Sequence, residues 1–295
     1  MISVIVTAFR EEKTIGTALN ALVNNPMKEP LEILVTCPDK PTAEAVKKYQ
    51  KKQRNIRLLK DPGKGKPVAL NLALKKVKGK IIILTDGDVR IANDSLMNLV
   101  APFKDKAVGA VSGRPISTNA RNNMLGYWSH LLTDVGAHAT REKLSKKGKF
   151  IVCSGYLYAI RAGIIKSIPL DSLSDDAIIS SMIAEKGYKI AYAPKSKVFI
   201  KYPTNFKDWI AQKKRSAGGY TQIKKLAKSK ITMRSFVKES TGVLRAFSYA
   251  KNMKEFVWTG ALVVTRVYLW TRILIDLKIK KEAFKKTWKR IESTK

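Results

Sequence analysis

The strongest chemical signal in the chain is a pair of aspartates, Asp86 and Asp88, separated by one glycine. The pair follows an apolar run at residues 81–84, which is typical of a buried strand. Two carboxylates at a strand end can share one hard divalent cation, and Mg²⁺ or Mn²⁺ prefers oxygen ligands such as those of a diphosphate. Aspartate pairs are also common in ordinary turns. The spacing therefore indicates a metal site without excluding a turn.

A second acidic pair, Asp175 and Asp176, precedes a run of residues with the pattern of a helix. A carboxylate within hydrogen-bond reach of an attacking hydroxyl can take its proton as a general base. Acidic side chains are also favoured at a helix N-terminus, where they cap the first turn and interact with the helix dipole. Either aspartate is thus a candidate base or a candidate cap.

A loop rich in glycine and lysine, residues 63–66, leads into a predicted helix upstream of the first acidic pair. Glycines let a backbone approach a phosphate closely, and a helix N-terminus favours anions. The same composition is typical of a solvated basic turn. The loop is a candidate phosphate site or an ordinary turn.

The elements that must position these residues alternate between β-branched runs and helical patterns. The sequence predicts strands at residues 2–6, 31–35, 56–59 and 81–84, and helices at 13–24, 42–51 and 67–77. This alternation predicts an α/β fold with a mostly parallel central sheet flanked by helices. In such sheets ligands bind beyond the carboxyl ends of the strands, where the polar clusters fall. Further along, we expect one long helical stretch at residues 122–141.

The charge of the chain is strongly unbalanced. It has 295 residues, with 57 Lys+Arg against 23 Asp+Glu and a formal net charge of +34. Such a charge favours anionic partners, namely nucleic acid, acidic lipid headgroups or phosphorylated substrates. The two cysteines, Cys37 and Cys153, form no metal-binding spacing, and we read them as reduced thiols of a cytosolic compartment. The first residues read as a strand rather than as a secretion signal.

The C-terminal region, residues 221–295, is basic and contains an apolar segment at about 255–278. Arg266, Arg272 and Asp276 interrupt it, so no uncharged run reaches the roughly 18 residues of a spanning helix. Lysines and aromatic residues flank the segment. This pattern is typical of an amphipathic helix that lies in a membrane interface. A core helix, a subunit contact and a tilted span are the alternatives.

Five motifs in order resemble the family 2 glycosyltransferases of GT-A fold over roughly residues 1–220. They are the opening strand and turn at residues 3–12, the Gly-Lys-Gly-Lys…Ala-Leu-Asn run at 63–71, the Asp-Gly-Asp of 86–88, the acidic motif at 174–179, and Gln212-Lys213-Lys214-Arg215. The last is similar to the Gln-x-x-Arg-Trp motif of the processive hyaluronan, chitin and cellulose synthase branch. The chain lacks the several spanning helices of that branch.

The resemblance implies a role for each matching residue. Thr7, Ala8 and Glu11 would border the nucleotide base and ribose, Asp39 would be a second base-contacting acid, and Lys66 would neighbour the base or diphosphate. Asp86 would face the nucleotide and Asp88 would hold the metal. Asp176 would be the general base, with Asp175 as a cap or acceptor contact. Gln212 and Arg215 would close over donor and acceptor.

The chain departs from the family pattern at three places. The usual Tyr-Asn-Glu turn is Phe9-Arg10-Glu11. The acid after the second strand is shifted to Asp39 in Thr36-Cys37-Pro38-Asp39, and Ser216 replaces the Trp that follows the Arg. The loss of that aromatic residue argues against a processive polymer channel.

These observations predict a metal-dependent, inverting glycosyltransferase of hexosyltransferase type. One base and one metal suffice for a single displacement, whereas retention through a double displacement would need a nucleophilic carboxylate. The resemblance implies a UDP sugar as donor and Mg²⁺ or Mn²⁺ as cofactor. We expect a membrane-held acceptor such as a lipid-linked glycan, an anionic membrane surface as partner, and a peripheral or monotopic location on the cytoplasmic side of the cell membrane. The oligomeric state is left open.

Three other classes of protein share single features with this sequence. A nucleotidyltransferase carries a Gly-rich loop after its first strand, and residues 7–12 contain no glycine. A nucleic-acid-binding protein is suggested by charge alone, without a recognised binding motif. An accessory subunit that keeps the fold without transfer activity is disfavoured by the intact Asp86, Asp88 and Asp176.

Overall fold

The structure is a computed structural model that describes residues 1–226, 243–275 and 292–294. Its centre is one sheet of eight strands: β1 (Ile2–Thr7), β2 (Leu31–Cys37), β3 (Ile56–Lys60), β4 (Ile81–Asp86), β5 (Arg90–Ile91), β6 (Val108–Ser117), β7 (Leu157–Arg161) and β8 (Lys189–Ile200). The strand order is β3-β2-β1-β4-β7-β6-β8-β5. Strands β3, β2, β1 and β4 are parallel, and β7 runs antiparallel between β4 and β6. The predicted mostly parallel α/β sheet is confirmed.

Helices flank this sheet on both faces. They are α1 (Ile15–Val23), α2 (Lys40–Gln50), α3 (Lys66–Leu74), α4 (Ser95–Val100), α5 (Met124–Leu131), α6 (Thr140–Lys146), α7 (Asp175–Glu185), α8 (Phe206–Leu226), α9 (Val243–Phe247) and α10 (Met253–Leu274). A 3₁₀ turn, Ala101–Lys104, follows α4, and another lies at Glu292–Thr294.

Two apolar cores lie on opposite faces of the sheet because successive side chains of a strand point to opposite sides. Val4 belongs to the core that includes Leu19 of α1, and Ile5 belongs to the core that includes Leu70 of α3 and Ile179 of α7. All five side chains are buried. Burial on both faces explains why β1, β2 and β4 are apolar runs rather than alternating patterns.

The parallel strands bring their carboxyl ends to one edge of the sheet. Thr7, the last residue of β1, is paired with Thr36 of β2 and with Asp86 of β4. The loops that follow these strands, and the N-termini of α3 and α7, therefore meet at this edge.

The helical stretch predicted at residues 122–141 is divided into three parts. Between α5 and α6 the backbone forms a π-helix, Leu132–Ala139, and the helical segment continues to residue 146. The stretch is helical throughout, as predicted, and its middle part is a π-helix. The stretch contains Gly136 and the threonines Thr133 and Thr140, all poor helix formers, and the hydroxyl of Thr140 donates to the carbonyl of Val135, five residues earlier. Wide turns of this kind are frequent at functional sites.

Helix α10 packs against α5. Arg121 donates two hydrogen bonds to the carboxylate of Glu255, at 2.7 and 2.8 Å, and the indole N–H of Trp128 donates to the carbonyl of Trp258 at 2.7 Å. The hydroxyls of Tyr127 and Thr259 lie 2.6 Å apart. Helix α8 runs across residue 220, the predicted boundary between the 1–220 and 221–295 regions, and that division stays a prediction.

The other face of α10 is apolar and exposed. Phe256, Val257, Val264, Val267 and Tyr268 are each at least half exposed, whereas Leu262 and Leu269 are buried. The helix thus presents one face to the protein and the other outward, and residues 276–278 of the predicted amphipathic helix lie outside the described residues. Within the described ranges, no helix is long and apolar enough to cross a membrane.

Candidate active site

A cavity of about 1460 Å³ opens at the carboxyl edge of β1, β2, β3 and β4. The N-termini of α3 and α7 form one side of it, and α8, α10 and the π-helix form the other. All but one of the candidate site residues line this cavity: Thr7, Ala8, Glu11, Lys66, Asp86, Asp88, Asp175, Asp176, Gln212 and Arg215. Asp39 is the exception.

Lys66 lies between the two acidic pairs. Its ammonium is 2.8 Å from Asp86 Oδ1 and 3.4 Å from Asp175 Oδ2. Burial lowers the pKa of Lys66, but the carboxylates of Asp175 and Asp86 outweigh this effect and raise it, so the side chain stays charged. Burial raises the pKa of Asp175, and the charge of Lys66 opposes that rise. The lysine thereby joins the strand-end acid to the acid of α7.

The turn after β4 is shaped by its glycine. The amide of Gly87 donates to the carbonyl of Thr7, and the hydroxyl of Thr7 donates to Asp86 Oδ1 at 3.0 Å. A Cβ atom on Gly87 would overlap the side chains of Glu11 and Ala8. Only glycine allows the strand end to pack against the first turn, which explains the residue between the two aspartates.

The donor set at this turn fits a hard divalent cation. Asp86 and Asp88 both line the cavity and offer carboxylate oxygens, which Mg²⁺ and Mn²⁺ prefer. In the part of the chain that is described, no group of three His, Cys, Asp or Glu side chains could hold a metal alone. A cation held by these two aspartates would therefore take its remaining ligands from water and from a diphosphate.

Asp176 is held rigidly in the first turn of α7. Its Oδ1 accepts hydrogen bonds from the hydroxyl of Ser174 at 2.6 Å and from the amide of Ala177 at 2.9 Å, and its Oδ2 accepts from the amide of Gly155 at 3.0 Å. The contact with a first-turn amide that we predicted for Asp175 thus belongs to Asp176. A carboxylate has about four lone-pair sites, so Oδ2 retains the capacity to accept a further proton donor.

Asp39 has a different environment from the one expected. It is the N-cap of α2 and accepts from the amide and hydroxyl of Thr42 and from the amide of Arg10. Burial raises the pKa of Asp39, but these hydrogen bonds outweigh it and lower the pKa. The Arg10 amide is held there by a left-handed backbone, with φ of 54°. Asp39 therefore lies on the cap of α2 and not on the cavity wall.

Helix α8 contributes one face to the cavity. Trp209, Gln212, Lys213 and Ser216 recur at helical spacing and line it with Arg215. Gln212 Oε1 is buried without a hydrogen-bond partner among the described residues, which is costly unless a ligand supplies a donor. Arg215 adds a positive charge on the same side.

Sequence reasoning missed two residues of the cavity wall. Trp209 stands three residues before Gln212 on the same helix face, and this spacing could have revealed an aromatic surface despite Ser216. Asp61 follows β3 and is only 7% exposed, yet it lines the cavity. Its position directly beyond a parallel strand was the available signal.

The sequence model of the family described as "Glycosyltransferase like family 2" matches residues 1–219. The chain belongs to this family. The resemblance recognised from the five motifs is confirmed, and the match ends within α8, just after Arg215.

Curated relatives of this family 2 chain span different shares of it. The chain is 23% identical over 233 residues to an N-acetylglucosaminyltransferase of Rhizobium meliloti and 23% identical over 228 residues to the poly-beta-1,6-N-acetyl-D-glucosamine synthase of Staphylococcus epidermidis. These matches cover 73% and 75% of the chain but 54% and 55% of the relatives, so the chain spans about half their length. A beta-monoglucosyldiacylglycerol synthase of Trichormus variabilis is 37% identical over 87 residues, which is 30% of the chain and 18% of that protein.

Solved structures confirm the GT-A fold of this family 2 chain. A mannosyltransferase of Pyrobaculum calidifontis, solved with GDP-Man and Mn²⁺, is 21% identical with a TM-score of 0.63, covering 97% of this chain and 82% of that one. Residues 1–349 of S. aureus TarS, solved with UDP, are 17% identical with a TM-score of 0.51. That match covers 86% of this chain and 76% of the TarS chain.

Proposed function

We propose that the chain is an inverting, metal-dependent glycosyltransferase that moves a hexosyl group from a nucleoside diphosphate sugar to a membrane-held acceptor. The observation that carries the proposal is the single cavity that joins the Asp86–Asp88 turn, Lys66 and the acidic turn of α7. A nucleotide site and a proton acceptor at one centre are what a single displacement at an anomeric carbon requires.

Asp176 is the proposed general base. Three donors fix its carboxylate, so the oxygen facing an acceptor hydroxyl is already oriented before the substrate arrives. Asp175 contacts the acceptor and, through Lys66, keeps the metal-binding turn in register with the base. As the hydroxyl oxygen bonds to the anomeric carbon, its proton passes to Asp176, and the bond to the diphosphate breaks.

The departing diphosphate needs positive charge. Asp86 and Asp88 would hold Mg²⁺ or Mn²⁺, which neutralises the charge that develops on the leaving group. Arg215 and Gln212 of α8 lie on the same side of the cavity, where Arg215 donates to donor or acceptor oxygens and Gln212 Oε1 accepts from a substrate hydroxyl. The ion pairs with Asp86 and Asp175 hold the ammonium of Lys66 beside the proposed diphosphate position.

The proposed donor is a UDP sugar, bound by Thr7 at the end of β1 and by Ala8 and Glu11 in the turn that follows. Similar folds solved with UDP and with GDP-Man support a nucleoside diphosphate of this kind. The preference for uracil rests on the resemblance to the family.

The proposed acceptor is held at an anionic membrane surface, on the cytoplasmic side of the cell membrane. The net charge of +34 and the exposed apolar face of α10 both support this, since such a helix binds a bilayer through apolar area and electrostatic attraction together. Val267 is exposed and also lines the cavity, so the apolar face reaches the cavity rim. The catalytic region of residues 1–220 would thereby be held beside a lipid-linked glycan by the 221–295 region.

The decisive experiment is thermal unfolding with UDP, GDP and CDP, each with and without Mn²⁺, on the protein and on Asp88→Ala. A rise in Tm with one nucleotide that requires Mn²⁺ and is lost in Asp88→Ala supports the donor site. The anomeric configuration of the product, read by NMR, then tests inversion. No stabilisation of the unaltered protein by any nucleotide would remove the proposed function.

The membrane part has its own test. Val257→Asp and Val264→Asp are expected to reduce co-sedimentation with vesicles containing anionic lipid, because both side chains are more than 60% exposed on α10. Leu170→Asp is the matched control, since Leu170 is 65% exposed in the catalytic region. Equal binding by all three variants would show that α10 does not contact the bilayer.

A further inference from the structure

Asp61 is a buried acid with unused hydrogen-bonding capacity. It follows β3, is 7% exposed, and lines the cavity. Among the described residues, the one hydrogen bond to its carboxylate comes from the amide of Gly63 at 3.0 Å, and no lysine or arginine forms an ion pair with it. A buried carboxylate with so few donors is costly unless a ligand supplies them.

The position of Asp61 in the sheet separates it from the phosphate end of the cavity. The strand order β3-β2-β1-β4 places it three strands from the Asp86–Asp88 turn. At about 4.8 Å per strand, that is roughly 14 Å across the carboxyl edge. With the diphosphate at β4, a donor laid along this edge would bring its nucleobase to β2 and β3.

The side chains near Asp61 include further acids. Burial, together with the carboxylates of Asp39, Asp61 and Glu11, raises the pKa of Cys37 to about 12. Among the described residues Asp61 has no ion pair with a lysine, whereas Asp86 lies 2.8 Å from Lys66. Pro38 and Ala8 also line the cavity and supply apolar surface for a flat ring.

Asp39 lies away from the cavity wall. It caps α2, accepting hydrogen bonds from Thr42 and Arg10, and it does not line the cavity. Asp61 is thus the acid beyond β2 and β3 that lines the cavity.

We propose, on the basis of the proposed donor site, that Asp61 reads the nucleobase by accepting the ring N–H of its Watson–Crick edge. Uracil and guanine carry a proton on that ring nitrogen, whereas the matching nitrogen of cytosine and adenine is an acceptor. A carboxylate accepts from the first pair and repels the second. Asp61 therefore restricts the donor to uracil or guanine nucleotides.

The test measures the affinities of UDP, GDP, CDP and ADP, each with Mn²⁺, for the protein and for Asp61→Asn. Asparagine keeps an oxygen for the Gly63 amide but adds an N–H donor. We expect Asp61→Asn to bind UDP or GDP, whichever the unaltered protein binds, with an affinity lower by about 10- to 100-fold. We expect it to bind CDP more tightly than the unaltered protein does. Asp94→Asn, at the start of α4 and outside the cavity, is the matched control and is expected to leave the base preference unchanged.

The outcomes separate this inference from the proposed function. If no nucleotide binds the unaltered protein, the donor site itself is wrong. If a nucleotide binds but Asp61→Asn weakens all four equally, Asp61 contacts the ribose and the base-reading role is overturned. Unchanged preference in Asp61→Asn overturns it as well.

Discussion

The two sides of the cavity are built by different means. The strand-end side holds Asp86, Lys66 and Asp176 through short polar contacts between 2.6 and 3.4 Å, on loops fixed by a buried parallel sheet. The helical side, made by α5, α8, α10 and the π-helix, is held by aromatic packing and by the Arg121–Glu255 pair. The first side carries the proposed metal ligands and base, whereas the second is a packed wall that adds Gln212 and Arg215 and has an exposed apolar outer face.

We expect the two sides to respond differently to substitution. Removing a polar group from the strand-end side should affect turnover with little effect on stability. Removing a contact from the helical side should loosen α10 and affect stability first. The following substitutions test that division.

Asp176→Asn should have the largest effect. Loss of the proton acceptor is expected to lower kcat by about 100-fold or more, while the hydrogen bonds from Ser174 and Ala177 can still be accepted. The measurement is diphosphate release from the donor in the presence of lipid vesicles. Asp94→Asn, at the start of α4 and outside the cavity, should retain activity. Full activity of Asp176→Asn with loss in Asp175→Asn would exchange the two roles.

Arg121→Ala should chiefly affect stability. The guanidinium donates twice to Glu255, which is 6% exposed, and lies 4.5 Å from the ring of Tyr249. We expect a loss of about 2 kcal/mol in the free energy of unfolding, because the buried carboxylate of Glu255 loses its ion pair and keeps the hydrogen bond from the amide of Lys251. Denaturant unfolding measures it, and nucleotide binding should persist. An unchanged unfolding midpoint would show that α10 is held by apolar packing alone.

Gly155→Ala should have a smaller effect confined to activity. A Cβ atom there would lie 3.1 Å from Asp176 Oδ2, so the carboxylate must shift. A small displacement of the base is expected to lower kcat by about tenfold, with KM for the donor nearly unchanged. Gly260→Ala is the control, since a Cβ atom at Gly260 meets nothing within 4 Å. Equal kcat in the two variants would contradict the placement of Asp176.

The smallest expected effect is a dependence on pH at the helical side. The hydrogen bonds from Arg121 lower the pKa of Glu255 from 4.5 to about 2. The stabilisation by this carboxylate is fully present above pH 4.5 and is lost as the pH falls through about 2. The difference in unfolding free energy between the protein and Glu255→Gln should therefore shrink from pH 5 towards pH 2. A constant difference over that range would mean that the pair contributes little.

The strand-end side could be predicted closely from the sequence. The apolar runs, the glycine–lysine loop and the two acidic pairs are local patterns, and parallel strands must bring their carboxyl ends to one edge. Thr7, Lys66, Asp86, Asp88, Asp175 and Asp176 accordingly meet in one cavity. Asp39 caps α2 and does not line the cavity, and its contact with the base stays a prediction.

Periodicity and short-range spacing were enough to predict the α/β sheet and the chemical character of the strand-end side, and the family followed from the resemblance of five motifs in order. Which acids face the cavity was set by packing in three dimensions. Asp61 and Trp209 enter the cavity, Asp39 caps α2, and Lys66 links acids 89 residues apart in the chain. The same packing also decided that α10 packs one face against α5 and presents the other outward. The reason is that these outcomes depend on contacts between distant segments, which form only when the sheet and its helices are packed together.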